Sequence, residues 1–124
     1  MYVAIVDDEE AVLRALTRLL LASGLEAEGF PSGAAFFEAS ALRRPDCVLL
    51  DLHMRGMGGL EVLRELRIRN PGLPAVVLTA HDDPGTREQC LAAGASAYLC
   101  KPLDERALLN AISASLSPAV QSRR

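Results

Sequence analysis

Asp7 and Asp8 stand side by side at the end of the apolar run YVAIV. Three later apolar runs end in a similar way: CVLL on Asp51, AVVL on Thr79, and AYLC on Lys101 and Pro102. Three carboxylates, one hydroxyl and one ammonium are the ingredients of a metal-assisted phosphoryl site. A carboxylate is a weak nucleophile toward a phosphoryl group whose oxygens repel it, and a hard divalent cation on several carboxylates neutralises both. The chemistry requires that the groups meet. In an open parallel α/β sheet the C-terminal ends of the strands converge on one crevice, which is where ligands bind.

Each residue alone has a plain structural reading beside the chemical one. Asp7 and Asp8 would serve as a strand-end turn or a helix N-cap pair, Asp51 as a turn residue, Thr79 as a helix cap, and Lys101 as a solvated surface lysine. Glu9 and Glu10 read as first-turn residues that complement a helix dipole rather than as ligands. The chemical reading gains over these because the groups recur at the ends of four separate strands.

The elements that must position them are legible as alternating short and long apolar patterns. Residues 2–6 read as a buried strand, and 11–22 as a helix with Val12, Leu13, Leu16, Leu19 and Leu20 at helical spacing, stopped by Ser23 and Gly24. Residues 25–30 alternate as a half-buried strand, and Pro31 and Ser32 open a short helix through Phe36 and Phe37. The continuous run 47–51 marks a central parallel strand covered on both faces. The glycine-rich stretch 55–59 reads as a loop, 60–68 as an amphipathic helix, and 75–79 as the fourth strand. Asp83 and Pro84 predict an N-cap and first helical residue, with Gly94 closing that helix. Residues 97–100 form the fifth strand, and Asp104 caps a last helix to about Leu116. Five βα units in a row specify a doubly wound α/β sheet with right-handed crossovers.

Composition narrows the class further. The 124 residues suit one domain, and half are hydrophobic while 23% are charged, as in an ordinary soluble globular protein. A net charge of −3 provides no basic footprint, so direct nucleic-acid binding is not expected. Cys47, Cys90 and Cys100 have no CxxC spacing and read as buried reduced thiols, which points to a reducing cytoplasm. The N-terminus lacks the basic region of a signal peptide, and no apolar run approaches the roughly 20 residues of a membrane span.

The segments VDDEE, DLHMRGMGGLE, LTAH and KP, in that order over almost the whole chain, resemble the receiver domain of bacterial two-component response regulators, the CheY-like superfamily. DLHMRGMGGLE is similar to the family pattern DxxMPGMxGLE around the phosphoacceptor. The closing GASAYLCKPLDERALLNAI resembles receivers that precede helix-turn-helix output domains, as in LuxR/FixJ-type transcriptional regulators. The resemblance implies a flavodoxin-like sheet of order 2-1-3-4-5 with five helices. It implies Mg²⁺ as cofactor, with Mn²⁺ able to substitute, a sensor histidine kinase as phosphodonor, and self-catalysed phosphorylation rather than an enzyme's turnover.

Carried over residue by residue, Asp51 is the phosphoacceptor and a metal ligand, Asp8 ligates the metal directly, and Asp7 does so through water. The backbone carbonyl of His53 is the third protein ligand, Lys101 neutralises a phosphoryl oxygen, and Thr79 donates to another. Backbone N–H groups after Thr79 and after Asp51 add donors. As Thr79 moves toward the phosphoryl group, Tyr98 swings from exposed to buried and changes the face of the fourth helix, fifth strand and fifth helix; plain half-buried packing is the other reading of Tyr98. Lys101–Pro102 carries the expectation of a cis peptide. The receiver spans 1–116, and 117–124 is a polar tail or the start of a linker. An output domain or downstream partner, and a phosphorylation-dependent homodimer, are the further partners implied.

Two features depart from the family pattern or stand out within it. Arg55 occupies the place of a proline, which frees φ, adds a backbone donor and brings a cation near the site. The two histidines, His53 and His81, follow Asp51 and Thr79 by two residues each. Imidazoles there would tune dephosphorylation with a pH dependence near neutral, or stand as plain exposed loop residues, or, without a cysteine to help, bind zinc. Other classes are a degenerate receiver that binds partners without phosphorylation, against which the intact acidic and basic residues argue, and a metal-dependent phosphatase, for which a second acid would be needed where His53 stands.

Overall fold

The computed structural model describes residues 1–116, so the tail reading of 117–124 lies outside the described residues. The elements are β1 (Tyr2–Val6), α1 (Glu10–Ala22), β2 (Glu26–Phe30), α2 (Gly33–Ser40), β3 (Cys47–Asp51), α3 (Gly59–Arg69), β4 (Ala75–Thr79), α4 (Thr86–Ala92), β5 (Ala97–Cys100) and α5 (Glu105–Leu116). Every strand pair is parallel, in the order β2-β1-β3-β4-β5. This is the flavodoxin-like sheet of order 2-1-3-4-5 that the resemblance implies.

Side chains on a strand alternate between its two faces, so each central strand feeds two cores. On one face Ala4, Val6, Val48, Leu50 and Val77 pack with Phe36, Val62, Leu66 and Cys90 from α2, α3 and α4. On the other, Val3, Ile5, Leu49 and Leu78 meet Leu16 and Leu20 of α1 and Leu108 and Ile112 of α5. β1, β3 and β4 are buried at all five positions, which is why their sequences are continuously apolar. β2 alternates instead, and as an edge strand it exposes Glu26, which pairs with Arg43 at 2.9 Å. A charged edge discourages pairing with another sheet.

Helix starts are where the structure corrects the sequence. Asp83 does not cap α4. Its carbonyl closes a turn with the Thr86 N–H at 3.1 Å, and the N-cap is Gly85, whose φ of +82° only glycine adopts readily. That left-handed residue interrupts any helix begun at Pro84. Gly59 belongs to α3 rather than to the loop. Its N–H donates to Leu52 O at 2.9 Å, and a Cβ on it would lie 2.5 Å from Asp51 O. The first turn of α3 thus rests against the end of β3, an approach that glycine alone permits. Ser32 and Asp104 do cap as expected, accepting from the N–H groups of Ala35 (3.1 Å) and Arg106 (2.9 Å). Cys100 is exposed, not buried, as the last residue of β5, which is the sheet edge.

Candidate functional site

Parallel strands put their C-terminal ends on one side, and the register does the rest. Val6 lies beside Leu50, Asp51 beside Leu78 and Thr79 beside Cys100, so the polar groups that end these strands form a row. Asp7, Asp8 and Asp51 each place a carboxylate oxygen within 4.8 Å of the others. Asp7 is 1% and Asp51 4% exposed, while Asp8 is half-buried at the rim. Lys101 Nζ reaches in to Asp51 Oδ1 at 3.2 Å and Asp7 Oδ2 at 3.4 Å. The Lys101–Pro102 bond is cis, and the Lys101 N–H donates to Thr79 O at 2.7 Å.

The electrostatics are unbalanced. Burial, then the Asp7 charge, pushes the Asp51 pKa above the usual carboxylate value, and Lys101 only partly offsets this. Burial works against the Lys101 charge, yet Asp51 and Asp7 outweigh it and hold its pKa up. Three clustered carboxylates share this one buried-side ammonium, so the cluster has excess negative charge and an all-oxygen donor set. Both properties fit a hard divalent cation.

Local bonds fix most of these side chains. Asp7 Oδ1 accepts the Glu9 N–H at 2.9 Å as the chain turns into α1. Asp8 Oδ2 accepts the Arg55 N–H at 2.9 Å, and Arg55 Nε lies 3.8 Å from the same oxygen. Thr79 is fully buried and its hydroxyl is engaged with the next loop, accepting from His81 N at 3.0 Å and donating to His81 O at 2.9 Å. Of the donors expected after Asp51, the Leu52 N–H is already committed to Leu78 O at 2.9 Å, so it continues the sheet.

Asp7, Asp8, Asp51 and Lys101 are therefore brought together, and the remaining candidates surround them. His53 and His81 are exposed, with rings edge to face at 5.3 Å, so they link the loops after β3 and β4. Tyr98 sits inward, 4% exposed, in the core of the α2–α4 face; the expected exposed position is not the one it occupies. Among the described residues its hydroxyl has no hydrogen-bond partner, and Arg87 lies 5.6 Å over its ring. Burial, with Asp82 alongside, pushes its pKa up to about 12. Sequence reasoning missed Gly59 as a packing partner of Asp51, although the doubled glycine of MGGLE was the signal. It also missed Arg87, an unremarkable residue whose place over Tyr98 depends on where α4 begins.

Comparison with known proteins agrees with this geometry. The response regulator receiver domain family matches residues 3–113. The transcriptional regulatory protein FixJ of Azorhizobium caulinodans is 35% identical over 122 residues, covering 98% of this chain and 58% of FixJ. The DNA-binding transcriptional regulator NtrC of Escherichia coli is 39% identical over 100 residues, covering 81% of this chain and 21% of NtrC. The crystal structure of a response regulator receiver domain protein from Clostridium thermocellum superposes with a TM-score of 0.90 at 25% identity, over 97% of each chain. The chain belongs to the response regulator receiver domain family, the signalling input module of two-component systems. It spans little more than half of FixJ and about a fifth of NtrC. Receivers of this family bind Mg²⁺ through acidic residues, and the cluster of Asp7, Asp8 and Asp51 is the acidic group this chain presents.

Proposed function

We propose that Asp51 accepts a phosphoryl group from a phosphohistidine of a sensor kinase, and that the resulting aspartyl phosphate changes the face built by α4, β5 and α5. The observation that carries this reading is the cluster itself: three carboxylates within 4.8 Å, with Lys101 spanning Asp51 and Asp7. A carboxylate oxygen of Asp51 forms the new bond to phosphorus as the phosphorus–nitrogen bond of the donor breaks, its electron pair returning to the imidazole. Asp8 and Asp51 would hold Mg²⁺ directly, Asp7 through water, and the His53 carbonyl would complete the protein ligands; Mn²⁺ has a similar preference for oxygen. When bound, the ion supplies positive charge between the nucleophile and the phosphoryl oxygens.

Lys101 already faces Asp51 at 3.2 Å, so it stands where a phosphoryl oxygen would need an ammonium. Thr79 would exchange its bonds to His81 for one to the phosphoryl group. That exchange pulls on the loop before α4, and hence on Tyr98, which responds from its buried position. His53 and His81, in contact across the mouth, would govern how water reaches the acyl phosphate. The chain acts as a signalling phosphoacceptor rather than as a catalyst for external substrates. FixJ and NtrC are transcriptional regulators, so control of a transcriptional output, by an attached domain or a phosphorylation-dependent homodimer, is the output this reading favours. No helix among the described residues is long and apolar enough to cross a membrane, and a cytoplasmic setting suits a kinase-fed module with free thiols.

Beryllofluoride, which mimics a phosphoryl group on an aspartate, tests the reading by NMR. Added with Mg²⁺, it should shift the amides around Asp51, Thr79, Lys101 and Tyr98, and Asp51→Asn should abolish every shift. Absence of shifts in the wild-type chain would favour an interaction module that works without phosphorylation.

A further inference from the structure

We infer that Arg55 sets the divalent-cation affinity of the acidic cluster by holding Asp8 from the loop after β3, an inference that rests on the metal-site reading above. Two contacts converge on one oxygen: the Arg55 N–H donates to Asp8 Oδ2 at 2.9 Å, and Arg55 Nε lies 3.8 Å from it. A proline at this position would have neither an N–H nor a charge, so both contacts exist because arginine stands here. Lys101 is shared by Asp7 and Asp51, and Arg55 faces Asp8, so two cations of the protein's own stand against three carboxylates. Lys101 is needed for the phosphoryl group. Arg55 is the additional one, and it competes with the metal.

The competition has two parts of different character. The N–H bond occupies lone-pair density on Oδ2 that a ligated cation would draw upon, and it is short-ranged. The guanidinium opposes an incoming dication through Coulomb repulsion. Its side chain is 96% exposed, so that repulsion passes largely through solvent and is screened by salt. A metal ion meets Asp8 through its other oxygen, shares Oδ2 with the N–H bond and the nearby guanidinium, or displaces the loop between β3 and α3. Removing the side chain leaves the N–H in place, and replacing Arg55 by proline removes both.

Calorimetric titration of the 124-residue chain with Mg²⁺ separates these parts. R55A should bind Mg²⁺ roughly two- to five-fold more tightly than wild type at low ionic strength, the range expected of one exposed charge. The gain should shrink as salt is added, and R55K should stay within roughly two-fold of wild type. R55P should bind at least as tightly as R55A. Measurable wild-type binding with R55A unchanged or weaker would overturn this inference alone. R55P weaker than wild type would do the same, by making the N–H a positioning contact rather than a competitor. No Mg²⁺ binding by the wild-type chain would overturn both this inference and the reading beneath it.

Discussion

Lys101 is where the chemistry and the stability of the site meet. Its ammonium lies between two carboxylates that are 4% and 1% exposed, and without it Asp51 and Asp7 would face each other uncompensated. Lys101→Met should therefore destabilise the metal-free chain by about 1–3 kcal/mol, less than the roughly 3–5 kcal/mol of a fully buried pair because the Lys101 side chain stays 19% exposed. Saturating Mg²⁺ should recover most of that loss, because a ligand bound only to the folded state adds stability by mass action. Urea unfolding of wild type and variant, with and without Mg²⁺, reads both effects; a loss that Mg²⁺ leaves untouched would make Lys101 a packing residue only. His53 is open to a separate test. If its contact with His81 governs water access, His53→Ala should change the lifetime of the acyl phosphate several-fold, and an unchanged lifetime would remove it from the site. At this scale the sequence was most legible, because Asp7, Asp8, Asp51 and Lys101 each end an apolar run, and parallel strands bring such ends together. It was less legible for Thr79, whose hydroxyl orientation is decided by the loop turn through His81 rather than by the strand.

The elements hold these groups through a few close approaches. α3 begins on Gly59, where a methyl group would lie 2.5 Å from Asp51 O and 2.6 Å from Leu52 Cα, while Gly58 beside it has nothing nearer than 3.9 Å. Gly59→Ala should cost about 1–3 kcal/mol by overpacking and should displace the phosphoacceptor with it. Gly58→Ala should cost well under half of that. Equal denaturation midpoints for the two variants would mean that the first turn of α3 yields without strain. Strand bounds were readable to the residue at β1, β3, β4 and β5, since each is an uninterrupted apolar run that ends on a polar group or is followed at once by a charged one. α4 was misread because Asp-Pro is a good helix start in isolation, and the left-handed Gly85 two residues later decides otherwise. Cys100 was misread for a separate reason: it ends β5, and an apolar run does not show that its strand is the sheet edge.

The molecule as a whole has a pH dependence that its two tyrosines report. Burial first, then the hydrogen bond to Glu28, pushes Tyr2 up to about 12, and burial with Asp82 does the same for Tyr98. Unfolded tyrosine ionises near 10.0. A folded pKa raised above the unfolded one contributes stability that is fully present below pH 10.0 and is lost as pH rises through about 12. Unfolding by base should thus set in above pH 10.0, with phenolate absorbance and loss of structure rising together. The chain has two tyrosines and no tryptophan, so the phenolate signal is clean. Titration of either phenol at its ordinary value in a still-folded chain would contradict the burial described. The fold class was legible from five alternations of strand and helix, but the strand order was not, because apolar runs do not encode toward which edge the chain turns. That order came from the family resemblance, and the register at Asp51 and Thr79 agrees with it.

The central claim is that Asp51 carries a phosphoryl group by virtue of the cluster around it. Its most direct test is the intact mass of the chain after incubation with Mg²⁺ and acetyl phosphate, beside Asp51→Asn. The account predicts one added phosphoryl group in the wild type, not formed when EDTA is present from the start and absent from the variant. An adduct that persists in Asp51→Asn, or that forms equally with EDTA present, would contradict it.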